Sequence, residues 1–88
     1  MQAFVYYQDP GHGWIEVDVD TLIELGIASK ISNYSYISGP VAYLEEDCDA
    51  ALFIQAFQDN HGSQPELYEQ YSENIFIRTL PSYGMASY

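Results

Sequence analysis

The apolar and polar positions of the chain first sort into two short runs. Ala3–Gln8 is β-branched and aromatic, and Trp14–Asp18 alternates, with Ile15 and Val17 on one side and Trp14, Glu16 and Asp18 on the other. Both read as strands. Asp9-Pro10-Gly11-His12-Gly13 stacks turn formers between them, so the two strands are expected to pair antiparallel. A short helix through Leu25 follows, capped by Asp18 or Asp20, with Leu22, Ile23 and Leu25 turned to the core and Gly26 as its left-handed stop. Ile27–Asn33 is a connector whose Ile27 and Ile31 tuck beneath that helix.

Tyr34–Phe57 is the most informative stretch. If Gly39-Pro40 is a two-residue turn, glycine supplies the positive φ of its first position, and the register of the hairpin is fixed. Ser38 then faces Val41, Ile37 faces Ala42, Tyr36 faces Tyr43, Ser35 faces Leu44 and Tyr34 faces Glu45. Ile37, Ala42 and Leu44 share a face suited to the underside of a helix. Tyr34, Tyr36 and Tyr43 share the opposite face, which either covers a half-exposed sheet or offers an aromatic surface to a partner.

Glu45-Glu46-Asp47-Cys48-Asp49 opens a second helix, which is expected to run to about Asn60. Its buried stripe is Leu52, Phe53, Ala56 and Phe57, and Asp47 is the expected cap. Acidic residues in a first turn are favoured by the partial positive charge of the free N–H groups, so Asp47 and Asp49 need no function to explain them. Glu66–Tyr71 reads as a strand with Leu67 inward. Ile75–Leu80 reads as a further extended piece, a candidate edge strand, stopped by Pro81. The expected architecture is α+β: a small antiparallel sheet, in the order ββαββαβ with an extra edge strand allowed, packed on two helices. One domain over residues 1–81 and a loose tail over 82–88 complete the reading.

Charge changes the picture most. Thirteen Asp and Glu stand against Lys30 and Arg78, a net charge of −11. Two cations are too few to neutralise a nucleic-acid backbone, and an anionic membrane is disfavoured for the same reason. The surface therefore suits a basic partner, cations or simple solubility. At 88 residues, a domain buries only about 60–65% of its unfolded surface, which limits any deep cavity and makes a homodimer an allowed way to cover its nine tyrosines.

Chemistry is harder to assemble. Cys48 is the sole cysteine, so neither an internal disulfide nor a zinc knuckle is available, and a buried, inert thiol is expected. A calcium loop counted from Asp47 fails, because Ala51 and Leu52 stand at its fifth and sixth positions. His12 and His61 belong to no metal-ligand spacing. Gly11-His12-Gly13 lacks the helix context and the lysine of a phosphate loop. No catalytic residue, metal ligand or cofactor is expected. Residues 1–10 show no basic segment followed by an apolar core, and no apolar run reaches about 18 residues, which points to a reducing cytoplasm.

The segments DPGHGWIEVD, LGIASKISNYSYISG and AYLEEDCDAALF resemble a family of small proteins from phages and other mobile elements of bacteria. The resemblance covers most of residues 9–57, with AYLEEDCDA its most distinctive part, and the C-terminal third matches weakly. It brings no catalytic activity, cofactor or site residue with it. What it implies is a setting, a phage-type protein in the cytoplasm of a bacterial host. In that setting a non-enzymatic inhibitor is the leading expectation: an anti-defence protein that meets the basic surface of a host component by mimicking nucleic acid. Its contact residues would be Asp18, Asp20 and Glu24 on one ridge, Glu45, Glu46, Asp47 and Asp49 on another, and Tyr34, Tyr36 and Tyr43 on the sheet. The alternatives are a sequestering protein with a Tyr/Trp-lined small-molecule pocket that includes Trp14 and His12, and a minor structural or assembly protein.

Overall fold

A computed structural model describes residues 2–85. Strands β1 (Ala3–Gln8) and β2 (Gly13–Asp18) lead into helix α1 (Val19–Glu24). Strands β3 (Tyr36–Ser38) and β4 (Val41–Glu45) lead into helix α2 (Asp49–His61), and β5 (Glu66–Tyr71) follows. Short 3-10 turns occupy Ala28–Lys30, Phe76–Thr79 and Tyr83–Met85. This is the expected α+β arrangement in the expected order. The sheet, however, is mixed: its order is β3-β4-β2-β1-β5, with β5 parallel to β1 and every other pair antiparallel.

Local signals account for the boundaries. Gly39 at φ 56° turns the hairpin, which pairs Ser38 with Val41, Ile37 with Ala42 and Tyr36 with Tyr43 as the two-residue turn requires. The ladder stops there. Ser35 instead accepts a side-chain bond from the Glu45 N–H at 2.9 Å, and Tyr34 projects into solvent. Gly26 at φ 75° and Gly62 at φ 81° stop α1 and α2 in the left-handed conformation that costs glycine least. Gly13 answers a different need, because a Cβ there would lie 2.5 Å from the Tyr6 hydroxyl.

Two cores result, one on each face of the sheet. The larger joins Ile15, Val17, Ile37, Ala42 and Leu44 to Val19 and Leu22 of α1 and to Ala50, Phe53 and Phe57 of α2, with Ile27 and Ile31 inserted as plugs. Phe4 meets Phe53 and Phe57 edge-on at 5.0 and 5.7 Å. Ile23 is a correction: it is 59% exposed, because a six-residue helix presents one narrow stripe and Val19 with Leu22 fills it. The smaller core holds Trp14, Tyr43, Ile75 and Ile77, bordered by Tyr7, Tyr36, Val41 and Leu80.

The second core comes from the C-terminal segment and corrects two expectations. Ile75–Leu80 does not join the sheet. It crosses the face as the 3-10 turn Phe76–Thr79 and drops Ile75 and Ile77 onto Trp14 and Tyr43. Nor does a loose tail begin at Ser82. Ser82 bridges to Tyr36 and donates to Asn33 O, the Ile37 N–H donates to Pro81 O at 3.0 Å, and buried Tyr83 donates through its hydroxyl to Ala28 O at 2.6 Å. Residues 86–88 of the expected tail lie outside the described residues.

Arg78 locks this segment to the β1–β2 turn. Its Nε and Nη2 donate to Asp9 Oδ2 and Oδ1 at 2.5 and 3.1 Å, and its guanidinium lies 5.3 Å from the Trp14 ring centre. Asp9 also accepts from the Gly11 and His12 N–H groups at 2.9 and 2.8 Å. The Arg78 bonds, helped by the two backbone bonds and opposed by burial, hold the Asp9 carboxyl far below the usual carboxylate range. A carboxyl whose folded pKa is depressed contributes stability above its unfolded pKa of about 4 and loses it as pH falls toward the folded value. Urea midpoints measured from pH 5 down to pH 2.5 should therefore fall more steeply for the native chain than for Arg78→Gln. Parallel acid limbs would show that Arg78 does not set the titration of Asp9.

Candidate functional site

The acidic residues singled out by sequence divide between opposite ends of the sheet. Asp18 closes β2, where it pairs with Val41 beside the Gly39-Pro40 turn, and Asp20 and Glu24 continue from it along α1. All three are exposed, and Asp20 and Glu24 stand at the i, i+4 spacing that puts side chains on one helix face about 6 Å apart. Glu45–Asp49 lies at the other end, where Glu45 pairs with Trp14. Four residues of strand, about 13 Å, separate Trp14 from Asp18. The two ridges do not adjoin.

Inside the second ridge the roles diverge. Asp49 is 4% exposed and faces inward. It accepts from Ser32 N at 3.1 Å, Ser32 Oγ at 2.7 Å and Ser35 Oγ at 2.5 Å, so it fastens the connector to the first turn of α2 and cannot serve as a contact residue. Glu45 is also buried. Its Oε2 accepts from the N–H groups of Asp47 and Cys48 at 2.7 and 3.0 Å and shapes the turn before the helix. Glu46 is half-buried and accepts from the Tyr6 hydroxyl at 2.6 Å; burial first, and then this bond, raises the Tyr6 pKa. Asp47 is exposed, and it does not cap α2: the N-cap is Cys48, without a side-chain bond.

Cys48 is exposed, contrary to the buried thiol expected, because the turn lifts it out of the core. Desolvation, then the carboxylates of Glu45, Asp49 and Asp47, raise its pKa and leave a weak nucleophile. The tyrosines divide as well. Tyr34 is 71% exposed, Tyr36 is half-buried, and Tyr43 is buried under Phe76 at a ring distance of 5.4 Å. Burial, with Glu16 beside it, pushes the Tyr43 hydroxyl far above its ordinary pKa. Tyr43 is therefore core. Trp14, offered as the wall of a ligand pocket, is 2% exposed and also core; its Nε1 is a buried polar atom with no hydrogen bond among the described residues.

One grouping escaped the sequence. The Trp14–Glu45 register and a bond from Glu46 N to Gly13 O bring the β1–β2 turn against the start of the α2 turn. A ring nitrogen of His12 and carboxylate oxygens of Glu45 and Asp47 come to lie within 4.8 Å of one another. His12 is 33 positions from Glu45 along the chain, so only the β2–β4 pairing could have signalled this.

No described helix is long and apolar enough to cross a membrane. Searches of the chain against protein-family models, curated proteins and solved structures find no match.

Proposed function

We propose that this chain is a non-enzymatic, phage-type protein that docks an acidic ridge on a basic surface of a bacterial host protein and so inhibits or redirects it. A defence component that itself reads nucleic acid is the proposed target. The observation carrying the reading is the exposed run Asp18, Asp20 and Glu24 at the β2–α1 junction, which makes no ion pair among the described residues. Arg78 is already held by Asp9, and Lys30 is the other cation of the chain. A surface of one sign accelerates encounter with an opposite surface and loses that advantage as salt rises. Glu45, Asp49 and Tyr43 are left out of the contact set, because each is buried.

The test is capture from bacterial lysate with the native chain and with Asp18→Asn/Asp20→Asn/Glu24→Gln. These three side chains are exposed, so the fold should survive the change. The expected result is a partner retained by the native chain at low salt, released as salt rises, and missing with the triple variant. Equal retention by both chains, or retention indifferent to salt, would overturn the reading.

A further inference from the structure

We propose that His12, Glu45 and Asp47 bind a divalent first-row transition ion such as Zn²⁺, Co²⁺ or Ni²⁺. The argument starts from how rigidly two of the three ligands are carried. His12 lies in a turn whose backbone is closed by Asp9: Asp9 N donates to His12 O at 2.9 Å, and the Asp9 carboxylate accepts from the N–H groups of Gly11 and His12. Glu45 ends β4 and is fixed by its pairing with Trp14 and by the Asp47 and Cys48 N–H groups on Oε2. The bond from Glu46 N to Gly13 O, at 3.0 Å, ties the two carriers together.

The independent observation is Glu45 Oε1. Its sister oxygen is taken up by the Asp47 and Cys48 N–H groups, whereas Oε1 faces His12 Nδ1 at 3.7 Å, an ion-pair separation too long for a hydrogen bond. A carboxylate oxygen and an imidazole nitrogen at that separation leave room for an ion bonded to both. Asp47, two residues on, supplies a second carboxylate, and the three ligand atoms lie within 4.8 Å of one another. Ligand atoms about 2.1 Å from a shared ion sit about 3–3.5 Å apart, so a movement of about an ångström by the exposed His12 and Asp47 side chains closes the set.

One nitrogen and two oxygens leave coordination positions for water. The imidazole favours the ions named over Mg²⁺ and Ca²⁺, which prefer all-oxygen sites. The competing explanation is that Glu45 only shapes its turn while an acidic surface gathers cations diffusely. In it a protonated His12 simply pairs with Glu45, and neither His12→Ala nor Asp47→Asn would change Zn²⁺ uptake selectively.

The probe is Zn²⁺ or Co²⁺ alone, titrated calorimetrically into metal-stripped protein in excess Mg²⁺. Trp14, whose ring centre lies 6.0 Å from that of His12, serves as a fluorescence reporter of Co²⁺. One-to-one binding is expected, weakened by about tenfold or more in His12→Ala and in Asp47→Asn, as loss of a site residue weakens metal affinity. Both side chains are exposed, and the turn bonds of His12 are made by its backbone, so both variants should fold. Asp59→Asn, remote on α2, should bind as the native chain does. Zn²⁺ should raise the melting temperature of the native chain and of Asp59→Asn and have little effect on the other two. Failure to bind, binding unchanged in His12→Ala, or displacement by Mg²⁺ would overturn the site.

Discussion

Replacing Asp49 with alanine should cost about 3 kcal/mol of stability and lower the melting temperature by about 15 °C. The magnitude follows from what is left behind. Ser32 N, Ser32 Oγ and Ser35 Oγ all donate to this carboxylate, and Ser35 is fully buried. Without the acceptor these donors stay in a poorly solvated place, and each unsatisfied group carries its own desolvation penalty. Among the described residues the carboxylate has no cationic partner; it is stabilised by neutral donors and by its place in the first turn of α2. Asp49→Asn should fall between the native chain and alanine, since the amide oxygen can still accept while its NH₂ group confronts the serine hydroxyls. Urea unfolding followed by circular dichroism measures both variants. A loss below about 1 kcal/mol for alanine would mean that the side chain faces solvent after all. Any charge-reversal experiment on the acidic run must therefore spare Asp49, or it will report unfolding as loss of binding.

Asp49 also marks where sequence reasoning stopped working. Signals confined to a few neighbouring residues were legible: Gly39 fixed the hairpin register, Gly26 marked a helix end, and Phe53 and Phe57 were correctly placed inside. Charge pattern was less informative. Glu45 and Asp49 stand in a run of acids and read as outward, yet both turn in because Ser32, Ser35 and two turn N–H groups provide donors. Pairing between distant segments was not legible at all. Periodicity says which side of a strand is apolar but not which strand lies beside it, so the parallel β1–β5 pair and the β2–β4 pair stayed hidden. The grouping of His12 with Glu45 and Asp47 stayed hidden with the second of these. Ile75–Leu80 is an instructive middle case. Its composition suggested an extended edge piece, whereas it runs as a 3-10 turn with Ile75 and Ile77 buried and Phe76 and Arg78 exposed. Packing onto Trp14 and Tyr43 outweighed local preference.

That C-terminal cover supports the other large prediction. Ile77 has no exposed surface and sits among Trp14, Tyr43 and Ile75, so Ile77→Ala should cost about 3 kcal/mol, the transfer term plus the cavity it leaves. How the loss appears is more telling than its size. The segment is pinned at two points after Ile77, by the Arg78–Asp9 pair and by the Pro81–Tyr83 bonds to β3 and to the connector that precedes it. With both anchors intact the cover should stay closed over the smaller side chain. The emission of Trp14, the single tryptophan, should then keep its buried position in native buffer and shift only at the urea concentration where the far-ultraviolet signal is lost. Coincident transitions at a lower midpoint are the expected result. A Trp14 shift well ahead of the helical signal would instead make residues 75–83 a separable flap, and the two faces of the sheet would have to be treated as independent folding units.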